Sequence, residues 1–290
     1  MKVCSRCKSP NLDADWACPK CAFKPKLIHG IRLFEPSASP IAGAYHAGHY
    51  QALYEGERKH FWFQARASLI RFTLASYGQK VPNSFLEIGC GTGFLLKSLK
   101  QHFSDWNLIG TEISADGLQY TRSLLPDEEL LQMDARRIPY ADEFGAIGAF
   151  DVLEHIEDDL RVLRECHSAL RPGGLLLLTV PQHASLWSTY DEQAGHFRRY
   201  EREDLQRKLT DAGFDVERMT SFVSLLLPAM SLQRRLARGN KDVNIDDQLT
   251  INPLLNGFFS LVMALERNLI SMGFNFKRGG SLLAVARRRE

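Results

Sequence analysis

Two groups of residues have the types and spacing to do chemistry. The first is Phe85-Leu86-Glu87-Ile88-Gly89-Cys90-Gly91-Thr92-Gly93-Phe94, followed by Leu95-Leu96-Lys97-Ser98-Leu99. An apolar run, a glycine-rich turn and a helix start present backbone N–H groups and a side-chain-free surface to a nucleotide. The spacing is G-x-G-x-G, with Phe94 where a dinucleotide fingerprint has its third glycine. Glu87 stands two residues before the first glycine, where it would repel a pyrophosphate. It suits instead a ligand carrying an ammonium and a sulfonium, so the turn predicts S-adenosylmethionine. The second group is Cys4-x2-Cys7 and Cys18-x2-Cys21. Four thiolates close a tetrahedral shell around Zn²⁺ with no open position, which makes such a site structural. Cys90 and Cys166 fall outside this set and are expected to be packing residues.

Further candidates lie downstream. Glu112 closes a second apolar run, where a carboxylate can accept both hydroxyls of a ribose. His155, His183 and His196 are candidate bases. The run His196-Phe197-Arg198-Arg199-Tyr200 sets a histidine beside two arginines, which could hold an anionic acceptor group with His196 as base. In the competing reading the two arginines cap the next helix or pair with Glu203 and Asp204.

Positioning these residues requires a particular order of elements. From Ser84 apolar strands and amphipathic helices alternate, which predicts an open parallel sheet. Strands are expected at 85–88, 107–112, 129–133, 146–152, 174–180, 215–221 and 281–287, and helices at 93–103, 114–124, 157–170 and 201–213. Upstream, Pro25, Pro36 and Pro40 mark residues 25–44 as a linker between a knuckle at 1–24 and a main domain at 45–290. Residues 222–280 form an insertion between the last two strands, with apolar helical patterns at 222–236 and 253–272.

Four segments in this order, LEIGCGTG (86–93), FDVLEHI (150–156), LRPGGLLLLTVP (170–181) and GHFRRY (195–200), resemble the class I S-adenosylmethionine-dependent methyltransferases, over roughly Tyr45 to Arg288. The resemblance is to the type 11/12-like members, including the quinone-pathway O-methyltransferases. It implies a Rossmann-like seven-stranded α/β sheet with helices on both faces and an antiparallel final strand. It also implies that Glu87, Gly89, Gly91 and Gly93 face the methionine part and ribose, that Asp134 and Ala135 meet adenine, and that the backbone of Phe150 meets the methionine. Arg66 matches an arginine that contacts the cofactor carboxylate in the quinone-pathway enzymes. In those enzymes the acids and histidine matching Asp151, Glu154 and His155 are associated with a divalent metal. D-x-L-E-H also shapes the substrate face of relatives without metal, and that reading is preferred here.

The resulting expectation is O-methylation of a small or lipid-linked acceptor, with His196 and His155 as catalytic residues. Trp62, His183, Arg198, Arg199 and Tyr200 are the substrate candidates. His60-Phe61-Trp62-Phe63 and the insertion would form walls and roof, with Phe222, Leu225, Leu226, Leu227, Phe258, Phe259 and Leu261 covering a lipid-linked substrate or resting on a membrane. The alternatives are an RNA methyltransferase that docks RNA through the knuckle, and a non-catalytic cofactor-binding adapter that recruits a protein. A net charge of +2 argues against nucleic-acid binding by bulk electrostatics. Paired C-x-x-C motifs at the start, with no signal-like stretch and no apolar run long enough to span a bilayer, predict a cytoplasmic protein, peripheral to the membrane if the insertion touches it.

Overall fold

The structure is a computed structural model, and it describes residues 1–10, 12–36, 47–236 and 250–289. The elements in chain order are β1 (Lys26–Ile28), β2 (Ile31–Leu33), α1 (Ala47–Gly56), α2 (Phe61–Tyr77), β3 (Ser84–Ile88), α3 (Phe94–His102), β4 (Asn107–Glu112), α4 (Ala115–Leu124), β5 (Glu129–Gln132) and β6 (Phe144–Phe150). They continue as α5 (Asp159–Ala169), β7 (Leu170–Pro181), α6 (Thr189–Gln193), α7 (Arg202–Asp211), β8 (Phe214–Phe222), α8 (Leu227–Leu236), α9 (Pro253–Ser271) and β9 (Ser281–Arg288).

All strands join one sheet in the order β1-β2-β5-β4-β3-β6-β7-β9-β8. Its seven-stranded part, β5 to β8 in that order, is parallel except for β9, which runs antiparallel to both β7 and β8. The sheet is buried on both faces, and the alternation of its side chains shows it. Phe85, Leu175 and Leu177 point into one apolar layer with residues of α2 and α3, while Leu86, Leu176 and Leu178 point into another with residues of α5 and α7. The chain grows outward from β3 through β4 to β5, then returns to β6 on the other side of β3. This reversal leaves a crevice beyond the ends of β3 and β6, the place where open α/β sheets bind ligands.

Two sequence expectations change. Residues 26–33, inside the expected linker, form a hairpin whose second strand pairs in parallel with β5, widening the sheet to nine strands. Ile31, Leu33 and Phe34 are buried by this pairing, which is what holds the segment down. Residues 37–44 of that linker lie outside the described residues. In the insertion, Phe222 belongs to β8 and the helix begins at Leu227.

The insertion is anchored to the segment expected to face it. Asn256 accepts from the Phe61 backbone N–H at 2.8 Å, the Phe61 and Phe259 rings lie 5.1 Å apart, and Arg267 donates to Ser68. Glu266 is fully buried and accepts from the N–H groups of Ser224 and Leu225, tying α9 to the end of β8. No helix among the described residues is long and apolar enough to cross a membrane.

Candidate active site

The crevice opens into a cavity of about 1180 Å³ bounded by the glycine turn, the ends of β4, β5 and β6, α1, the start of α2, α6 and the insertion. Gly89, Gly91 and Gly93 all have positive φ, at 70°, 55° and 83°. At Gly89 a Cβ would sit 2.5 Å from Val152, whereas at Gly91 nothing lies within 4 Å. The turn is therefore packed against protein on one side and open to the cavity on the other.

Carboxylates dominate this half of the cavity. Glu87 is 3% exposed, and its Oε2 is buried with no hydrogen-bond partner. Burial pushes its carboxyl up to about 8, against the opposing pull of Arg66. Glu57, beside it, is likewise pushed up to about 8 by burial and accepts from the Thr92 hydroxyl in the turn. Burial also raises Glu112, although its oxygens accept from the backbone N–H groups of Gly91, Ile113 and Ser114. Three buried carboxyls, one with an orphaned oxygen, make a site that a cationic ligand would complete.

Arg66 and Asp151 form an ion pair across the crevice, and the guanidinium lies over the Trp62 ring at 4.5 Å. Phe150 and Ala135 line the cavity, as does Asp134. Burial works to raise Asp134, but a two-pronged contact from Arg136 wins and holds it below the usual carboxylate range. The cofactor candidates Arg66, Glu87, Gly89, Gly91, Glu112, Asp134, Ala135 and Phe150 thus line one cavity, and Gly93 ends the turn as the cap of α3.

On the opposite wall, Ser188 and Asp191 form a capping box at the start of α6. This turn holds Asp191 fully buried, where its Oδ1 meets His196 Nδ1 at 2.9 Å and the Arg199 guanidinium at 2.7 Å. The Asp191 carboxylate, which can only accept, favours the tautomer in which Nδ1–H of His196 donates to it and Nε2 is the acceptor. His155 crosses His196 edge-on with ring centroids 4.6 Å apart, and burial followed by the neighbouring His196 lowers it to about 3. Burial thus favours its neutral form. Trp62, Phe61, Phe63, Leu226, Leu255 and Phe259 supply the apolar walls between the two halves.

Residues 54–218 match the family described as the methyltransferase domain. The chain belongs to that family. A probable S-adenosylmethionine-dependent methyltransferase of Mycobacterium tuberculosis is 27% identical over 162 residues, covering 54% of this chain and 56% of that protein. A ubiquinone biosynthesis O-methyltransferase of Pseudomonas aeruginosa is 31% identical over 125 residues, covering 41% and 48%. Among solved structures, Haemonchus contortus phosphoethanolamine N-methyltransferase 2 with S-adenosyl-L-methionine superposes with a TM-score of 0.56 at 18% identity, covering 85% of this chain and 58% of that chain. The chain thus spans about half the length of these relatives, and the structural likeness shows the fold alone.

Within this methyltransferase domain several expected substrate residues have other duties. Arg198 pairs with Asp159 at 2.8 Å and donates to the Glu157 carbonyl. Tyr200 is fully buried with its hydroxyl on Asp159 at 2.7 Å. Arg199 borders the cavity but is taken up by Asp191 and the Gln182 carbonyl. His183 lines a separate cavity of about 1010 Å³ and contacts Glu201 at 3.0 Å. The arginine pair is therefore no free anion site, because buried acids had to be neutralised where they stand. Asp151, Glu154 and His155, which match metal-associated residues of the quinone-pathway enzymes, do not converge as one set. Asp151 goes to Arg66, while ligand atoms of Glu154, His155 and His196 lie within 4.8 Å of one another.

Sequence reasoning missed Glu57, Tyr50 and Asp191. Glu57 and Tyr50 reach the cavity only because α1 folds over the glycine turn, Tyr50 lying against Gly117. Asp191 carried a usable signal in Ser188-x-x-Asp191 five residues before His196. In the knuckle, Cys4, Cys7, Cys18 and Cys21 converge, with Cys4–Cys21 and Cys7–Cys18 sulfurs 3.6 and 3.5 Å apart. A tetrahedral Zn–S shell with bonds of about 2.3 Å has edges of about 3.8 Å, so the four sulfurs fit zinc.

Proposed function

We propose that the chain is an S-adenosylmethionine-dependent methyltransferase that O-methylates a small or lipid-linked acceptor. His196 serves as general base, Asp191 orients it, and the four cysteines hold a structural zinc. The observation that carries this reading is that an Asp191–His196 pair and the acid-rich glycine turn face one another across a single, largely apolar cavity. Its volume exceeds that of a typical one-ligand pocket, leaving room for cofactor and acceptor together.

When bound, S-adenosylmethionine supplies a methyl group activated by its sulfonium. Glu87 and Glu57 would neutralise the ligand's ammonium, Arg66 would meet its carboxylate, and Glu112 its ribose. Nε2 of His196 would accept the proton of the acceptor hydroxyl as that oxygen takes the methyl group. Asp191 stabilises the imidazolium that results. The aromatic walls exclude water from the transfer path. Similarity to a ubiquinone-pathway O-methyltransferase supports an acceptor hydroxyl with an apolar tail, and the apolar roof of Leu226, Leu255 and Phe259 agrees with it.

Methyl-labelled cofactor incubated with the purified protein and fractionated cell extract tests the reading. Label should move to a lipid or small-molecule fraction and should depend on His196. His196→Gln should lower turnover by roughly 10²–10⁴-fold with cofactor affinity unchanged. Label in RNA, or full turnover by the His196→Gln protein, would overturn it.

A further inference from the structure

The described surface carries a patch that the catalytic cavity does not use. The inner face of α9 is formed by Phe259, Met263, Glu266 and Ile270, which pack against α2 and the end of β8. Its outer face repeats the same spacing with Leu254, Phe258, Leu261 and Leu265, all exposed, Leu254 at 84% and Leu261 at 73%. The following loop adds Met272 at 75% and Phe274 at 59%. A helix that needed only to cover the cavity would be polar on this side.

Charge identifies what meets the patch. The one acid in α9, Glu266, is turned inward and fully buried. The loop from Met272 to Gly280 contains no acid but carries Lys277 and Arg278, both exposed and neither ion-paired among the described residues. Lys277 and Arg278 also border the cavity lined by His183, Glu201 and Glu203, and since α9 and the loop expose no acid, a second copy docking through this face would add cations without an answering charge on it. An anionic lipid surface answers both features, taking the apolar stripe into its acyl boundary and the cations among its headgroups. The patch is also continuous with the cavity, because Leu255 and Phe259, between the stripe residues on α9, line the cavity wall.

We infer that the outer face of α9 with the 272–280 loop is a docking surface for an anionic lipid bilayer, setting the mouth of the acceptor cavity against the membrane. This goes beyond the catalytic reading and does not depend on it, since binding to vesicles is measured without turnover.

The full chain is sedimented with vesicles of phosphatidylcholine alone and of phosphatidylcholine mixed with phosphatidylglycerol. Binding should favour the anionic vesicles and weaken with added salt. Lys277→Gln with Arg278→Gln should weaken it by roughly tenfold or more, and Phe258→Ser with Leu261→Ser should abolish it. Thermal unfolding and cofactor affinity of these surface variants should match those of the parent protein. Failure to sediment with either vesicle would overturn the inference. So would a concentration-dependent dimer that Phe258→Ser with Leu261→Ser dissociates, which would assign the face to a second copy.

Discussion

At the scale of single residues, burial favours the protonated form of two of the cavity's acids. Glu57 and Glu87 are pushed by burial from the ordinary 4.5 up to about 8. Between those values the folded chain retains protons that an unfolded chain has released, so the stability of the unliganded protein should fall as pH rises from about 4.5 toward about 8. A cationic ligand reverses the preference, because its charge favours the ionised carboxylates. Affinity for S-adenosylmethionine should therefore strengthen as pH rises toward about 8 and level off there, and Glu87→Gln should flatten that dependence. Calorimetric titration across this range, paired with unfolding of the ligand-free protein, measures both slopes. A pH-independent affinity in the parent protein would contradict the assignment. Glu87 was legible in the sequence because its distance from the glycines already decided which ligand it tolerates. The duties of Arg198 and Tyr200 were not, since Asp159 is some forty residues away and only the fold brings it beneath them.

At the scale of elements, the strands were readable because burial on both faces of the sheet forces near-continuous apolar runs such as Leu175 to Leu178. The hairpin at 26–33 was hidden. Lys26, Leu27 and Ile28 are exposed and the run is short, so its strand character comes from pairing along β5 rather than from its own pattern. The glycine turn shows how strongly an element depends on one missing side chain. Gly89 combines a φ of 70° with a site where a Cβ would strike Val152, adjacent to the Asp151 that holds Arg66. Gly173 has a nearly identical φ of 73° with nothing within 4 Å. Gly173→Ala should therefore show the conformational cost alone, about 1–2 kcal/mol. Gly89→Ala should cost about 1–3 kcal/mol more from overpacking, and should weaken cofactor binding at least tenfold as Val152 and Asp151 shift. Equal losses in the two variants, read by denaturant unfolding and cofactor titration, would show that the packing against Val152 is immaterial.

At the scale of the whole molecule, the four-cysteine segment is part of the main core, where the sequence suggested an appendage joined by a linker. Trp16 is 1% exposed and meets Phe34 and Tyr140 edge-on at 5.2 and 5.3 Å. The backbone of Val3 donates to Pro139, and Ala141 donates to Met1, stitching the knuckle beside β5. Lys8 and Ala22, each directly after the second cysteine of its pair, both take positive φ, at 55° and 58°. Their N–H groups close matching turns onto the carbonyls of Cys4 and Cys18. These two equivalent turns bring the four sulfurs to where a zinc ion would hold them together. Because Trp16 belongs to the same buried cluster as Leu86 and Leu176, removing the metal should be felt across the sheet. A chelator strong enough to strip zinc, or Cys7→Ser with Cys18→Ser, should lower the midpoint of a single cooperative unfolding transition by about 10 °C or more. A separate early transition that leaves the main one in place would instead mark the knuckle as an independent unit, available for a partner.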